Sequence, residues 1–176
     1  MNVYVESNFV LELALLQAEC EACDSIVALC RAGKAKLVIP AFSLAEPFET
    51  ATRRHDERLQ LHKRLASELK QLLRTQSYQS QTEASQEITS LLVRSTAEEM
   101  TRLTAAVQDV ASVAEVIPLA GDVIAAAMQY QIQGDFSAQD GLVFASILSH
   151  LQATKPSPSC LLNKNRKDFS EPDKPS

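Results

Sequence analysis

Three apolar residues, Val3-Tyr4-Val5, run directly into Glu6-Ser7-Asn8, and an apolar helical pattern begins behind them. A strand apolar at consecutive positions is buried on both faces, the condition of a parallel sheet covered by helices. A carboxylate at the tip of such a strand needs compensation once it leaves water, and a cation is one form of it. Lys36-Leu37-Val38-Ile39-Pro40 repeats the pattern: Pro40 ends the ladder, and Glu46 and Glu49 sit in the helix that follows.

The rest of the chain reads as an α/β order. Leu11, Leu13, Leu15 and Leu16 open a helix expected to run to Arg31, closed by Gly33. Pro47 is expected in the first turn of its helix. From Thr50 to Arg74, Leu61, Leu65, Leu69 and Leu72 recur at helical spacing, whereas Ser77 to Ser90 is rich in Gln, Ser and Thr and reads as a loop or a helix–helix turn. A further helix carries Leu91, Leu92, Met100, Leu103, Val107 and Val110, so residues 50–110 are expected to form a helical hairpin projecting from the core. An extended piece at 114–119, a helix from Asp122 towards Gly134, a helix capped by Ser137 with Asp140 three positions on, and a last strand at 159–162 complete the series. This order predicts a doubly wound parallel sheet, in which ligands gather beyond the carboxyl ends of the strands. Glu6, Glu46, Asp140 and Asp168 all fall on that side.

Composition narrows the function. With 176 residues and 45% hydrophobic content the chain can bury a substantial core, and 5% aromatics without Trp favour helices over a β-sandwich. The strand-like start and the lack of a long apolar stretch predict a soluble, cytoplasmic protein with no membrane partner. Cys20, Cys23, Cys30 and Cys160 read as reduced structural thiols, because Cys20-x-x-Cys23 lacks a second ligand pair at finger-like spacing. Net charge is −5, yet between Arg53 and Arg74 seven basic residues face three acidic ones, and from Lys155 onward five face three. An acidic body with local basic stretches suits a protein that meets a polyanion at one place, and a solvated helix face remains the alternative for the first stretch. An aspartyl-phosphate enzyme or receiver domain would need a nucleophilic Asp where Glu6 stands, and with four glycines there is no phosphate-binding loop.

Four pieces in this order, Val3-Tyr4-Val5-Glu6-Ser7-Asn8, Val38-Ile39-Pro40 with Leu44-Ala45-Glu46, Ser137-Ala138-Gln139-Asp140, and Leu161-Leu162-Asn163-Lys164-Asn165 with Asp168-Phe169, resemble the PIN domain, a nuclease fold common among toxin–antitoxin ribonucleases. The resemblance implies one PIN-like domain over residues 1–169, with 170–176 a polar tail. It further implies a metal-dependent endoribonuclease acting on single-stranded RNA. Glu6, Glu46, Asp140 and Asp168 would be the catalytic acids and the ligands of Mg²⁺ or Mn²⁺, hard ions that prefer carboxylate oxygen and activate water. Ser7, Asn163 and Asn165 would support them. RNA, an antitoxin protein and a second copy of the chain are the partners to expect, the latter two on the leucine stripe.

Two departures stand against that pattern. The family has Asp at the first position, and Glu6 reaches roughly 1.5 Å further by one carbon–carbon bond. Asn163 and Asn165 stand where the family places Thr and Asp, so Asp168 is the one acid of that segment. The alternative function is therefore a PIN-like module with a degenerate site that binds RNA or protein. Each residue also has a plain structural reading: Asp140 a helix cap, Glu46 and Glu49 first-turn acids favoured by the helix dipole, Asp168 a partner of Lys167 or Arg166. His55, His62 and His150 read as surface residues.

Overall fold

The structure, a computed structural model, describes residues 1–134, 136–156 and 158–164, the side chains of 80–84, 86 and 134 excepted. Asn165, Asp168 and the tail expected over 170–176 lie outside the described residues.

Strands β1 (Asn2–Tyr4), β2 (Lys36–Pro40), β3 (Glu115–Ile117) and β4 (Ser159–Leu161) form a parallel sheet in the order β3-β2-β1-β4. Val3 stands opposite Leu37 and Cys160, and Tyr4 opposite Val38 and Leu161. Strand alternation then divides the core. Val3, Val5, Leu37 and Ile39 join one cluster with Phe9, Val10 and Val110, while Tyr4 and Val38 join Ile117, Val143 and Ile147 in another. Helices α1 (Ser7–Leu15), α2 (Cys20–Arg31) and the base of α4 (Gln79–Val113) supply the first cluster, and α6 (Ala138–Thr154) the second. Helix α5 (Gly121–Gly134) packs on α6 through Val123, Ala127 and Ala145. Their approach is close at Gly141, where a Cβ would stand 3.1 Å from the Ala127 carbonyl oxygen. The doubly wound sheet and the projecting hairpin are both present.

The helix expected from Leu11 to Arg31 is two helices. Leu16 adopts φ 52° and ψ 48°, and its backbone N–H bonds the Glu12 carbonyl, which ends α1. The Glu12 carboxylate accepts the backbone N–H of Glu19 at 3.0 Å, holding the entry to α2. A buried acid in the second turn thus organises the break, a reason that the leucine spacing does not carry.

The hairpin also departs from expectation. One continuous helix, α3 (Ala41–Leu72), contains Glu46 and the leucine stripe, with Pro47 inside it rather than in its first turn. A short 3₁₀ turn at Gln76–Tyr78 leads straight into α4, so the expected loop at 77–90 is mostly helix. A polar segment can be helical when its partner helix is polar too, and tertiary pairing overrides its composition. Among the described side chains of α4, Thr89, Thr96, Leu103 and Val110 are the buried ones and recur every seven positions, the repeat of a left-handed helical pair. Arg58 bonds Glu99 at 2.9 Å and Ser95 at 3.1 Å, and His62 Nδ1 lies 3.0 Å from the Thr89 carbonyl oxygen. Leu65 and Leu69 are half-buried, so only Leu61 and Leu72 of the stripe are exposed.

His150 is not a surface residue. Its Nδ1 lies 2.8 Å from the Tyr4 hydroxyl oxygen, and its Nε2 stands 3.3 Å from Glu115, which Lys36 also meets at 2.8 Å. This chain of contacts ties α6 to β1, β2 and β3.

Candidate active site

The strand order places a reversal between β1 and β4, because the chain runs from β1 through β2 to β3 and then crosses back to β4. Crevices in open α/β sheets lie beyond the carboxyl ends at such a reversal. Here a cavity of about 470 Å³ opens there, with Glu6 and Asn8 on one wall and Leu161, Asn163 and Lys164 on the other.

Glu6 follows β1 in extended backbone, at the start of α1. Burial pushes its carboxyl above the ordinary range, and the negative charges of Glu46 and Asp140 push it further. Asn8 offsets this in part through its side-chain amide, 2.8 Å from Glu6 Oε1, and its backbone. Glu46, six residues into α3, accepts the hydroxyl of buried Ser7. Asp140 lies in the first turn of α6, where its backbone N–H bonds Ser137 Oγ at 3.1 Å and its carboxylate accepts the Ser137 hydroxyl. The capping reading of Asp140 is therefore correct as local structure, and the same residue faces Glu6. Glu46, half-buried, turns toward the site, whereas Glu49 is exposed.

Glu46 and Asp140 thus both act on Glu6, and each of the three acids is held by a neighbouring donor: Asn8 for Glu6, Ser7 for Glu46, Ser137 for Asp140. Asn163 lines the same cavity, and Asp168 and Asn165 lie outside the described residues. Among the described residues no group of three His, Cys, Asp or Glu side chains stands close enough to enclose one ion. A magnesium ion is commonly held by one or two carboxylates with water completing its shell, so the all-oxygen donor set here suits a hard divalent cation.

Sequence reasoning missed Asn8, Glu12 and Lys164. Glu12 is 4% exposed, ion-paired with Lys164 and bonded to Glu19 N–H, so its carboxyl is held below the ordinary range, the Lys164 bond contributing most. One acid inside Phe9-Val10-Leu11-Glu12-Leu13-Ala14-Leu15 was the available signal. Burial, then the charge of Glu12, pushes the Cys23 thiol next to this pair up to about 11, which disfavours the thiolate, and all four cysteines are free. No helix among the described residues is long and apolar enough to cross a membrane.

A family model described as PIN domain matches residues 3–169. No curated protein matches the chain. Among solved structures the chain is similar to the crystal structure of Mycobacterium tuberculosis VapC20, a "Sarcin-Ricin loop cleaving toxin", at 11% identity and a TM-score of 0.46, with 94% of this chain and 92% of that one covered.

Proposed function

From the premise that this chain belongs to the PIN domain family, we propose that it is a divalent-metal-dependent endoribonuclease that cleaves single-stranded RNA. One observation carries the reading: Glu6 stands half-buried at the strand tip with its amide partner Asn8, and the negative charges of Glu46 and Asp140 reach it there, a gathering of carboxylates that a hard cation would stabilise.

Glu6, Glu46 and Asp140 would hold Mg²⁺ or Mn²⁺, with Asp168 as a fourth acid and Asn163 and Asn165 beside it. When bound, such an ion lowers the pKa of water and offsets charge developing on a phosphodiester. The chain's own part is orientation. Ser7 fixes Glu46, Asn8 fixes Glu6 and Ser137 fixes Asp140, so the acids meet a ligand already aimed. Lys63, Arg64 and Lys70 are exposed along α3, and Arg74 is exposed in the turn just beyond it. Arg64 lies 18 residues beyond Glu46, roughly 27 Å at the helical rise, so an RNA strand crossing the site can reach these charges. The toxin of a toxin–antitoxin pair is one setting for this activity.

The test is cleavage of labelled single-stranded RNA with Mg²⁺ or Mn²⁺. Wild type should cleave, EDTA should abolish the reaction, and Asp140→Asn should lower the rate at least 100-fold while Tm changes little. A second reading is favoured by the absence of an ion-enclosing acid group among the described residues: a PIN-like module that binds RNA without cutting it. Retained RNA binding with no cleavage by wild type under any divalent ion would select it.

A further inference from the structure

Asp140 and Phe144 stand four residues apart on α6, so they share a helix face. One turn, about 6 Å at the helical rise, separates an acid of the candidate active site from an aromatic ring. Two further rings orient that one. Phe136, next to the Ser137 cap, stacks on it with centroids 5.3 Å and planes 19° apart, and Tyr130 of α5 meets it edge-on at 5.0 Å and 89°. The chain has six Phe and three Tyr in all, and three of these rings gather here, beside the acids.

One turn along from Asp140, Phe144 lines a cavity of about 330 Å³ between α6 and the edge strand β4, together with Tyr4, Ile147, Leu151, Ser159 and Leu161. That volume lies at the small end of ligand pockets, about 300–1,000 Å³. None of the described residues lining it is charged, so its walls suit a flat neutral group rather than a phosphate. The strand edge supplies polar groups. Pro158 accepts the Asn2 N–H through its carbonyl, and the Leu162 N–H bonds the Tyr4 carbonyl. A parallel strand turns alternate residues toward its neighbour, so the N–H and C=O groups of Ser159 and Leu161 point away from β1, to the side where no strand lies among the described residues. A ring to stack on and donors and acceptors at the rim are what holds a splayed-out nucleobase.

We propose that this cavity is a nucleobase subsite, which takes the base of a nucleotide beside the scissile phosphodiester and stacks it on Phe144. The subsite rests on the ribonuclease reading and adds a source of sequence preference to it. Charges along α3 meet every RNA sequence alike, whereas ring and strand-edge contacts differ from base to base. Continuity selects the occupant: a group bound here is one helical turn from the residue that, with Glu46, acts on Glu6.

The test uses labelled single-stranded RNAs that differ in one abasic residue stepped along the strand, with wild type, Phe144→Leu and Phe144→Tyr. Binding is read by fluorescence anisotropy and cleavage with Mg²⁺ or Mn²⁺. In wild type, one abasic position next to the scissile bond should weaken binding at least about tenfold. Phe144→Leu should bind intact RNA more weakly by a similar factor and be indifferent to that abasic position, whereas Phe144→Tyr, which keeps the ring, should behave as wild type. The abasic series in wild type needs no substitution, so it stands even where Phe144→Leu folds poorly. Cleavage of intact RNA with no base-sensitive position, or a base penalty as large in Phe144→Leu as in wild type, overturns the subsite and leaves the nuclease reading in place. A base penalty that Phe144→Leu removes, without cleavage under any divalent ion, supports the subsite and removes the nuclease reading. Neither binding nor cleavage overturns both.

Discussion

Glu6 and Glu12 lie six residues apart on one segment, the first half-buried and the second buried, and their carboxyls shift in opposite directions. Glu12, the more buried of the two, has the Lys164 ammonium and a backbone N–H for partners, and its charged form is favoured. Glu6 has, among the described residues, Asn8 for a donor and faces Glu46 and Asp140, and its charged form is disfavoured. Burial alone therefore does not mark a functional acid. The sign of the neighbouring charge does: an acid already supplied with a cation has a structural job, and an acid supplied with other acids is poised to take one.

The largest expected effect separates the two residues by activity. Glu6→Gln should lower RNA cleavage at least 100-fold, about 2.7 kcal/mol of barrier, because a neutral amide cannot contribute charge to an ion. Glu12→Gln should stay within a few-fold of wild type. Single-turnover rates at saturating divalent ion measure this directly, and equal losses in the two variants would erase the distinction drawn between them.

Stability should reverse the ranking. Glu12→Ala leaves the Glu19 N–H without its acceptor at the entry to α2, a loss of about 1–3 kcal/mol, readable by urea unfolding. Glu6→Gln should be neutral or stabilising at neutral pH, since it removes a disfavoured charge while keeping an acceptor for Asn8.

The pH dependence follows with opposite signs. Glu12 has a lowered folded-state pKa, so its contribution is present above the ordinary glutamate range and is lost as pH falls through the lowered value. Glu6 has a raised one, so its contribution is present below the ordinary range and is lost as pH rises through the raised value. The Tm gain of Glu6→Gln should therefore grow from pH 4 to pH 7, while the Tm loss of Glu12→Ala should shrink as pH is lowered. Added Mg²⁺ should raise the Tm of wild type more than that of Glu6→Gln, by linkage to the folded state.

The sequence made the sheet edge legible because its signals are local. Val3-Tyr4-Val5 and Leu37-Val38-Ile39 are apolar at every position, and each is followed within a few residues by an acid. The Ser137 cap could likewise be read from a four-residue spacing. What escaped depends on partners far along the chain. Glu12 finds Lys164 152 residues away, and Tyr4 finds His150 across 146. The Gln/Ser/Thr-rich segment at 77–90 looked like a loop because its helical state rests on pairing with α3, seen in the seven-residue spacing from Thr89 to Val110. Pro47 was expected near a helix start because the junction between strand tip and helix was placed too late.

The smallest effect on stability falls at the start of α6, where cap and site coincide. Ser137 accepts the Asp140 backbone N–H as an ordinary N-cap, and its hydroxyl also donates to the Asp140 carboxylate. Ser137→Ala removes both bonds and should cost about 1 kcal/mol of stability, the usual value of a cap, or 2–4 °C in Tm for a chain of this size. Asp140→Asn keeps the backbone N–H and its bond, so it should barely move Tm. If Asp140 served only the helix, both variants would leave cleavage alone. If it serves the site, Asp140→Asn should abolish cleavage with the fold intact, whereas Ser137→Ala should slow it only several-fold, because the carboxylate survives and loses just the hydroxyl that aims it. Thermal melts and cleavage rates on the two variants separate these outcomes, and an Asp140→Asn variant that melts early while still cutting RNA would return Asp140 to a capping role.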